Sequence, residues 1–133
     1  NYKEKTSNTT PSLHKTIPLF ADMVKNNIKT VSMEVSSEAL HYDRVNGIKF
    51  NCSILTNITK EHLNTHKTLE NYINCKCKLF ENTIGPCILN KDDEHYLEVS
   101  KHCKKIYTYG KNKDNDLYFK DVRLFENNYI VSY

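Results

Sequence analysis

Long apolar runs, a basic block and a glycine-rich phosphate loop are all missing from this 133-residue chain. Nothing approaches the roughly eighteen consecutive apolar residues that a membrane-spanning helix needs, so no such span and no membrane partner is expected. The opening Asn1-Tyr-Lys-Glu-Lys-Thr-Ser7 has charge but no apolar stretch behind it, unlike a signal peptide. The 19 Lys and Arg residues outnumber the 16 Asp and Glu to leave +3, and they are scattered, which gives no case for a nucleic-acid partner. No Cys-x-x-Cys pair occurs among the five cysteines. Cys75 and Cys77 are two apart, and on a helix they point in different directions, so a zinc site built on them is not expected. Reduced, packing cysteines of a cytoplasmic protein are the expectation. Gly-x-x-Gly-Lys-Thr/Ser does not occur, so these residues hold no backbone amide nest for the β- and γ-phosphates of a nucleotide. The Asn-x-Ser/Thr triplets at Asn8, Asn51 and Asn57 are read as chance matches in an Asn-rich chain.

What is present is one domain's worth of alternating elements, enough to bury a core. Leu13, Ile17, Phe20, Met23 and Val24 recur at helical spacing within 11–27, with Thr10 and Pro11 as a helix start and Pro18 as a kink or late start. The β-branched run 29–35 reads as a strand ending near Glu34, and 50–55 as a second. Residues 68–82 read as a helix with Leu69, Tyr72, Ile73, Cys77 and Phe80 on one face, 86–89 as a short strand, 92–102 as a helix and 104–109 as a strand. Such alternation predicts an α/β fold, a mostly parallel Rossmann-like sheet with flanking helices. The segments 117–124 and 129–133, with no helix between them, predict an antiparallel hairpin ending that sheet at its edge.

In an open α/β sheet, ligands bind beyond the carboxyl ends of the strands. Three expected strand ends carry polar residues: Glu34, Ser36 and Ser37; then Thr56, Asn57 and His62; then Asn90. Each could equally be a cap or turn former. Glu34 fits that reading least, because a carboxylate closing an apolar strand needs a partner, which a bound Mg²⁺ would supply.

Blocks of residues then carry a specific resemblance. Asn8-Thr-Thr-Pro11, Met33-Glu-Val-Ser-Ser-Glu-Ala-Leu40, Arg44-Val-Asn-Gly47, Thr56-Asn-Ile-Thr-Lys-Glu-His-Leu63 with His66, Lys76, and Leu89-Asn-Lys-Asp-Asp-Glu94 follow one another across nearly the whole chain. In order and spacing they resemble the central, ATP-binding domain of the Mur ligases, in particular the branch that forms UDP-N-acetylmuramoyl-tripeptide. The resemblance implies a partial central domain over 1–133, incomplete at both ends. It also implies a parent enzyme that is an ATP-dependent amide ligase. Such a ligase adds diaminopimelate or lysine to UDP-N-acetylmuramoyl-L-alanyl-D-glutamate through an acyl phosphate, in peptidoglycan synthesis.

By the same resemblance Glu34 and His62 would hold Mg²⁺. Lys76 would be the carbamylated lysine that joins them, its added CO₂ replacing a cation with two hard oxygens. Taken alone, Lys76 reads as a surface lysine. Asn8, Thr9 and Thr10 would meet the UDP-muramyl peptide, and Ser36 and Arg44 its phosphate or carboxylate, where an arginine fork donates paired hydrogen bonds. Arg44 could instead be a surface residue beside the Asn46-Gly47 turn. Asn90, and Asn57 on the neighbouring strand end, would meet ATP; the plainer role of Asn90 is a helix cap, with Asp92 and Asp93 in the first turn. His66 matches a family histidine without an assigned step.

The chain departs from the family pattern at Glu38, where a histidine is usual, at Tyr42, where a glutamine is usual, and at Lys60-Glu61-His62 in place of Arg-Asp-His. Two functions from different classes stay open: a piece of a ligase active only within its parent, or a stand-alone α/β binding or structural domain of ligase ancestry. A third, a ligase of a different acidic peptide such as a polyglutamate-type ligase, has Arg44 and the Asn8-Thr-Thr block against it. Exposed sheet edges could also make the isolated chain self-associate.

Overall fold

A computed structural model describes residues 8–60, 63–125 and 128–132, and the chain divides into two compact units, Asn1–Ile48 and Lys49–Tyr133. In the first unit, α1 (Leu13–Lys25) runs through Pro18 and carries Lys25 in its last turn. Its less exposed face is Leu13, Thr16, Leu19, Phe20 and Met23, while Ile17 and Val24 are 59% and 72% exposed. The helix forms where its periodicity places it, but Thr16 replaces Ile17 on the covered side, with its hydroxyl donating to the Ser12 carbonyl at 3.2 Å.

The expected strand over 29–35 is not one. Among the described residues it joins no ladder, and Ile28 and Val31 are exposed, so β-branching has no neighbouring strand to pack on. The segment is held instead by Thr10, which is fully buried. Its hydroxyl donates to the Glu34 carbonyl at 2.9 Å and accepts from the Ser36 amide at 3.0 Å. Helix α2 (Ser37–His41) follows, with the Ser36 hydroxyl accepting from the Ala39 amide at 3.1 Å as its N-cap.

The second unit is built on one sheet, β1 (Ser53–Leu55), β2 (Cys87–Asn90), β3 (Ile106–Gly110) and β4 (Leu117–Tyr118), in the order β1-β2-β3-β4. Helices α3 (Leu63–His66) and α4 (Leu69–Glu81) connect β1 to β2, and α5 (Tyr96–Ser100) connects β2 to β3. Every pairing in this sheet is parallel, which corrects the expectation of an antiparallel end. The reason lies in the loop 111–116. The Asp116 carboxylate accepts from the Thr108 amide at 2.7 Å, and the Asp116 amide donates back to the Thr108 hydroxyl at 3.1 Å. The chain is thereby pinned beside β3 and re-enters the sheet in the same direction. An antiparallel pair does exist, β5 (Asp121–Phe125) with β6 (Asn128–Ser132), but as a separate two-stranded sheet.

Helix α4 matches its sequence pattern closely. The Thr68 hydroxyl caps it by accepting from the Asn71 amide, and Glu70 lies in its first turn. Its buried face, Tyr72, Ile73, Cys77 and Phe80, packs with Leu55, Ile58, Cys87, Leu89 and Val99 into the core. Gly85 is required where the chain enters β2, since an added Cβ would sit 2.0 Å from the Asn51 carbonyl oxygen. The opposite sheet face carries one cross-strand row, Ile54, Ile88 and Tyr107 in register, with Ile54 and Tyr107 exposed. No helix among the described residues is long and apolar enough to cross a membrane.

Candidate functional site

The carboxyl ends of β1, β2 and β3 lie side by side, and side chains from the β2–α5 turn tie them together. Asn90 ends β2. Its amide donates to the Thr56 carbonyl at 2.8 Å, across to the end of β1, and its Oδ1 accepts from the Asp92 amide at 3.0 Å. The Asp93 carboxylate accepts from the Ile58 amide at 2.7 Å through one oxygen and from the His95 amide at 2.9 Å through the other. Asp92 reaches to β3, accepting from the Lys111 amide at 2.9 Å. The two aspartates are therefore engaged by loop amides, and the helix begins only at Tyr96 rather than at Asp92. Neither acid nor Asn90 caps α5, which starts from His95 without a side-chain cap.

Gly110 closes this corner. A Cβ there would lie 2.9 Å from Asp92 Oδ1 and 3.1 Å from Asn115 Nδ2. The Tyr109 hydroxyl donates to the Leu55 carbonyl at 3.0 Å. Burial first, then the charges of Asp93 and Asp92, push its phenol above the ordinary value, so it stays a protonated donor. At the rim, Lys91 pairs with Asp114 at 2.5 Å. That hydrogen bond raises the lysine and lowers the aspartate from their usual values. Asn57 is exposed beside this network and Asn90 is half-buried.

Lys76 is half-buried on α4, one turn after Tyr72, with Nζ 5.6 Å from the Tyr72 ring centroid. The ring of buried His66 lies 5.2 Å from the same tyrosine. His62 falls outside the described residues. In the first unit the Glu34 carboxylate is exposed and makes no hydrogen bond or ion pair among the described residues, although its carbonyl is held by Thr10. Asn8 and Thr9 are exposed, whereas Thr10 is sealed and its hydroxyl committed to Glu34 and Ser36. Ser36 is half-buried and occupied as a cap.

Arg44 is half-buried, its Cζ 5.6 Å from the centroid of the Tyr42 ring. In the sequence Tyr42 stands out only as a departure from the family pattern; the signal for its contact is an aromatic two residues before an arginine. The latch made by Asp92 and Asp93 has no signal in the sequence. Acidic residues expected in a first helical turn instead bind loop amides, and only the three-dimensional neighbours reveal that.

The profile of the Mur ligase middle domain matches residues 1–132. A UDP-N-acetylmuramoyl-L-alanyl-D-glutamate–2,6-diaminopimelate ligase of Clostridium tetani is 43% identical over 124 residues, 92% of this chain and 25% of that protein. The ligase of the same name from Clostridium perfringens is 37% identical over 133 residues, 96% of this chain and 27% of its own length. A solved structure with that ligase title superposes with a TM-score of 0.74 at 28% identity, over 86% of this chain and 25% of that one. The chain thus spans about a quarter of the length of these relatives. With the middle-domain profile covering residues 1–132, the chain belongs to the Mur ligase middle-domain family.

Proposed function

We propose that this chain is the central segment of an ATP-dependent amide ligase that adds the third amino acid of the peptidoglycan stem peptide. The acceptor is UDP-N-acetylmuramoyl-L-alanyl-D-glutamate, and the amino acid is diaminopimelate or lysine, the first being the one in the relatives' names. The supporting observation is 43% identity to such a ligase across 92% of the chain. In this reaction the acceptor carboxylate attacks the γ-phosphorus of ATP, giving an acyl phosphate and ADP. The incoming amine then attacks the acyl carbon, phosphate leaves with the bonding pair, and the amine's proton passes to solvent or a base.

The residues divide between nucleotide, metal and acceptor. Asn90 and Asn57, at adjoining strand ends, are proposed to meet ATP. Asn90 Oδ1 and Nδ2 each already hold a backbone group, so its part is to fix the shape of the nucleotide pocket as well as to line it. Glu34, His62 and carbamylated Lys76 are proposed to hold Mg²⁺. The donor set suits a hard cation, since the Glu34 carboxylate is exposed and uncommitted and a carbamate adds two oxygens. Bound there, Mg²⁺ supplies positive charge to the transferring phosphoryl group. Asn8, Thr9, Thr10, Ser36 and Arg44 are proposed to form the acceptor side. Thr10 and Ser36 serve by shaping the backbone, and exposed Asn8 and Thr9 serve by contact. The phosphate loop, absent from these 133 residues, is proposed to come from elsewhere in the parent protein. The reaction, drawing on ATP and a UDP-linked acceptor, is proposed to run in the cytoplasm.

The test is made on the full-length protein with ATP, Mg²⁺, the UDP-muramyl dipeptide and diaminopimelate or lysine. Mass spectrometry should show the tripeptide product, with phosphate release requiring all components. Binding of the nucleotides without any product under these conditions would leave the stand-alone binding-domain reading and sink this one.

A further inference from the structure

We propose that Tyr42 is a positioning residue for Arg44, so that the pair forms one contact for an anionic group, phosphate or carboxylate, of the acceptor substrate. The inference rests on the ligase reading above and adds to it a residue outside the family pattern.

The argument starts in the backbone. Helix α2 ends at Tyr42, whose amide donates to the Glu38 carbonyl at 2.9 Å. Asp43 then takes the left-handed conformation, with φ 53°. The Arg44 amide turns back onto the Ala39 carbonyl at 2.8 Å. This is the six-to-one closure of a Schellman motif, with Asp43 in the place that usually favours glycine or asparagine. The closure brings Arg44 back beside the residue that precedes the turn.

Its guanidinium consequently lies over the Tyr42 ring at 5.6 Å, and the His41 ring packs edge-on against the same tyrosine, centroids 4.8 Å apart at 81°. Tyr42 is 59% exposed, so its ring is not there to fill a core. The Arg44 guanidinium makes no hydrogen bond or ion pair among the described residues, yet the residue is half-buried. A guanidinium held by a ring face spends none of its N–H donors on that contact. Held in this way, it loses less rotamer freedom when an anion takes the fork.

The experiment uses the full-length ligase and measures KM and kcat for the UDP-muramyl dipeptide at saturating ATP. Tyr42→Leu should raise KM about two- to fivefold, the range of an exposed cation–π contact, with kcat unchanged. Tyr42→Phe keeps the ring and should stay near the parent value. Arg44→Ala should raise KM further, and adding Tyr42→Leu to it should change nothing more, because the ring acts only through the arginine. Thermal melting should be alike for the Tyr42 variants, which separates positioning from folding. If Arg44→Ala raises KM while Tyr42→Leu does not, the positioning role fails and the arginine's substrate contact stands. If Arg44→Ala leaves KM alone, the arginine's assignment fails and the inference falls with it. An effect of Tyr42→Leu that persists without Arg44 also overturns the inference.

Discussion

In residues 49–118 most of the enclosed side chains are apolar and have almost no exposure, Leu89 and Val99 at 0% and Cys77 and Cys87 at 1%. In residues 8–48 fewer apolar side chains are buried, Ala39, Leu40 and Val45, and polar fixed points stand beside them: the Thr10 hydroxyl, the Ser36 cap and the backbone closure after Asp43. The first kind of order is non-directional and tolerates small shifts. The second fixes the directions of particular amides and carbonyls, and it fails as a unit when one oxygen is removed. The proposed roles divide along the same line. The sheet unit presents a latch of strand ends and the half-buried Lys76, while the other presents uncommitted charged groups, Glu34 and Arg44, on a hydrogen-bonded frame.

Five experiments break or sharpen that contrast. The largest effect is expected at Lys76, where the chemistry rather than the fold is at stake. In the full-length protein, Lys76→Ala should reduce ligation at least about a hundredfold, the scale of losing a group that stabilises transferring charge, and added CO₂ should not restore it. Substantial turnover in that variant removes the carbamate role.

Next comes the core. Leu89→Ala should cost about 2–5 kcal/mol in urea unfolding, because Leu89 is fully buried in the core cluster to which α4 and α5 contribute. A loss below about 1 kcal/mol would mean the sheet unit is not held mainly by burial.

Thr10→Val keeps the shape and deletes the latch. It leaves the Glu34 carbonyl and the Ser36 amide without their partner, at a cost of about 1–3 kcal/mol, and hydrogen exchange should speed at Ser36 while amides of β2 keep their protection. Equal acceleration in both places would erase the distinction between the two kinds of order.

The smallest effect is alkaline. Burial, followed by the Glu81 charge, pushes the Cys77 thiol up to about 11. Burial, then the hydrogen bond with Cys87, pushes Cys103 up to about 12. Both folded values exceed the ordinary 9.0, so the stability these thiols add is fully present below about pH 9 and is lost as pH rises through 11 to 12. A modest fall in melting temperature over that window should therefore appear. Near pH 8 a thiol reagent should modify exposed Cys52 well before Cys77 or Cys87. Equal rates at all three would contradict the buried assignment.

Much of the sheet unit was legible because burial writes itself as periodicity. Tyr72, Ile73, Cys77 and Phe80 mark one face of α4, and Thr68 marks its start. The strands 87–90 and 106–110 fall within a residue or two of their expected places. Illegible were features decided by neighbours distant in sequence. The run 29–35 has strand composition but no ladder, β4 follows β3 in parallel because Thr108 and Asp116 are bonded, and Asp92 and Asp93 serve loop amides instead of a helix. For the site, a strand end marks Asn90 as a candidate, while Arg44 and Lys76 become candidates only through the family resemblance. They did not reveal that Asn90 bridges two strand ends or that Thr10 is sealed.

One backbone angle carries an unusual share of this. At Asp43 the chain reverses its handedness for a single residue. The heading of the Arg44 side chain is therefore written in a torsion, not in any atom that would touch a ligand. A replacement such as Asp43→Val would delete no contact and no charge that the substrate meets. It would nevertheless aim the arginine elsewhere, because a β-branched residue resists that torsion. On the role proposed for Arg44, recognition of an anion would thus be lost by turning a peptide plane, leaving every recognising group in the sequence.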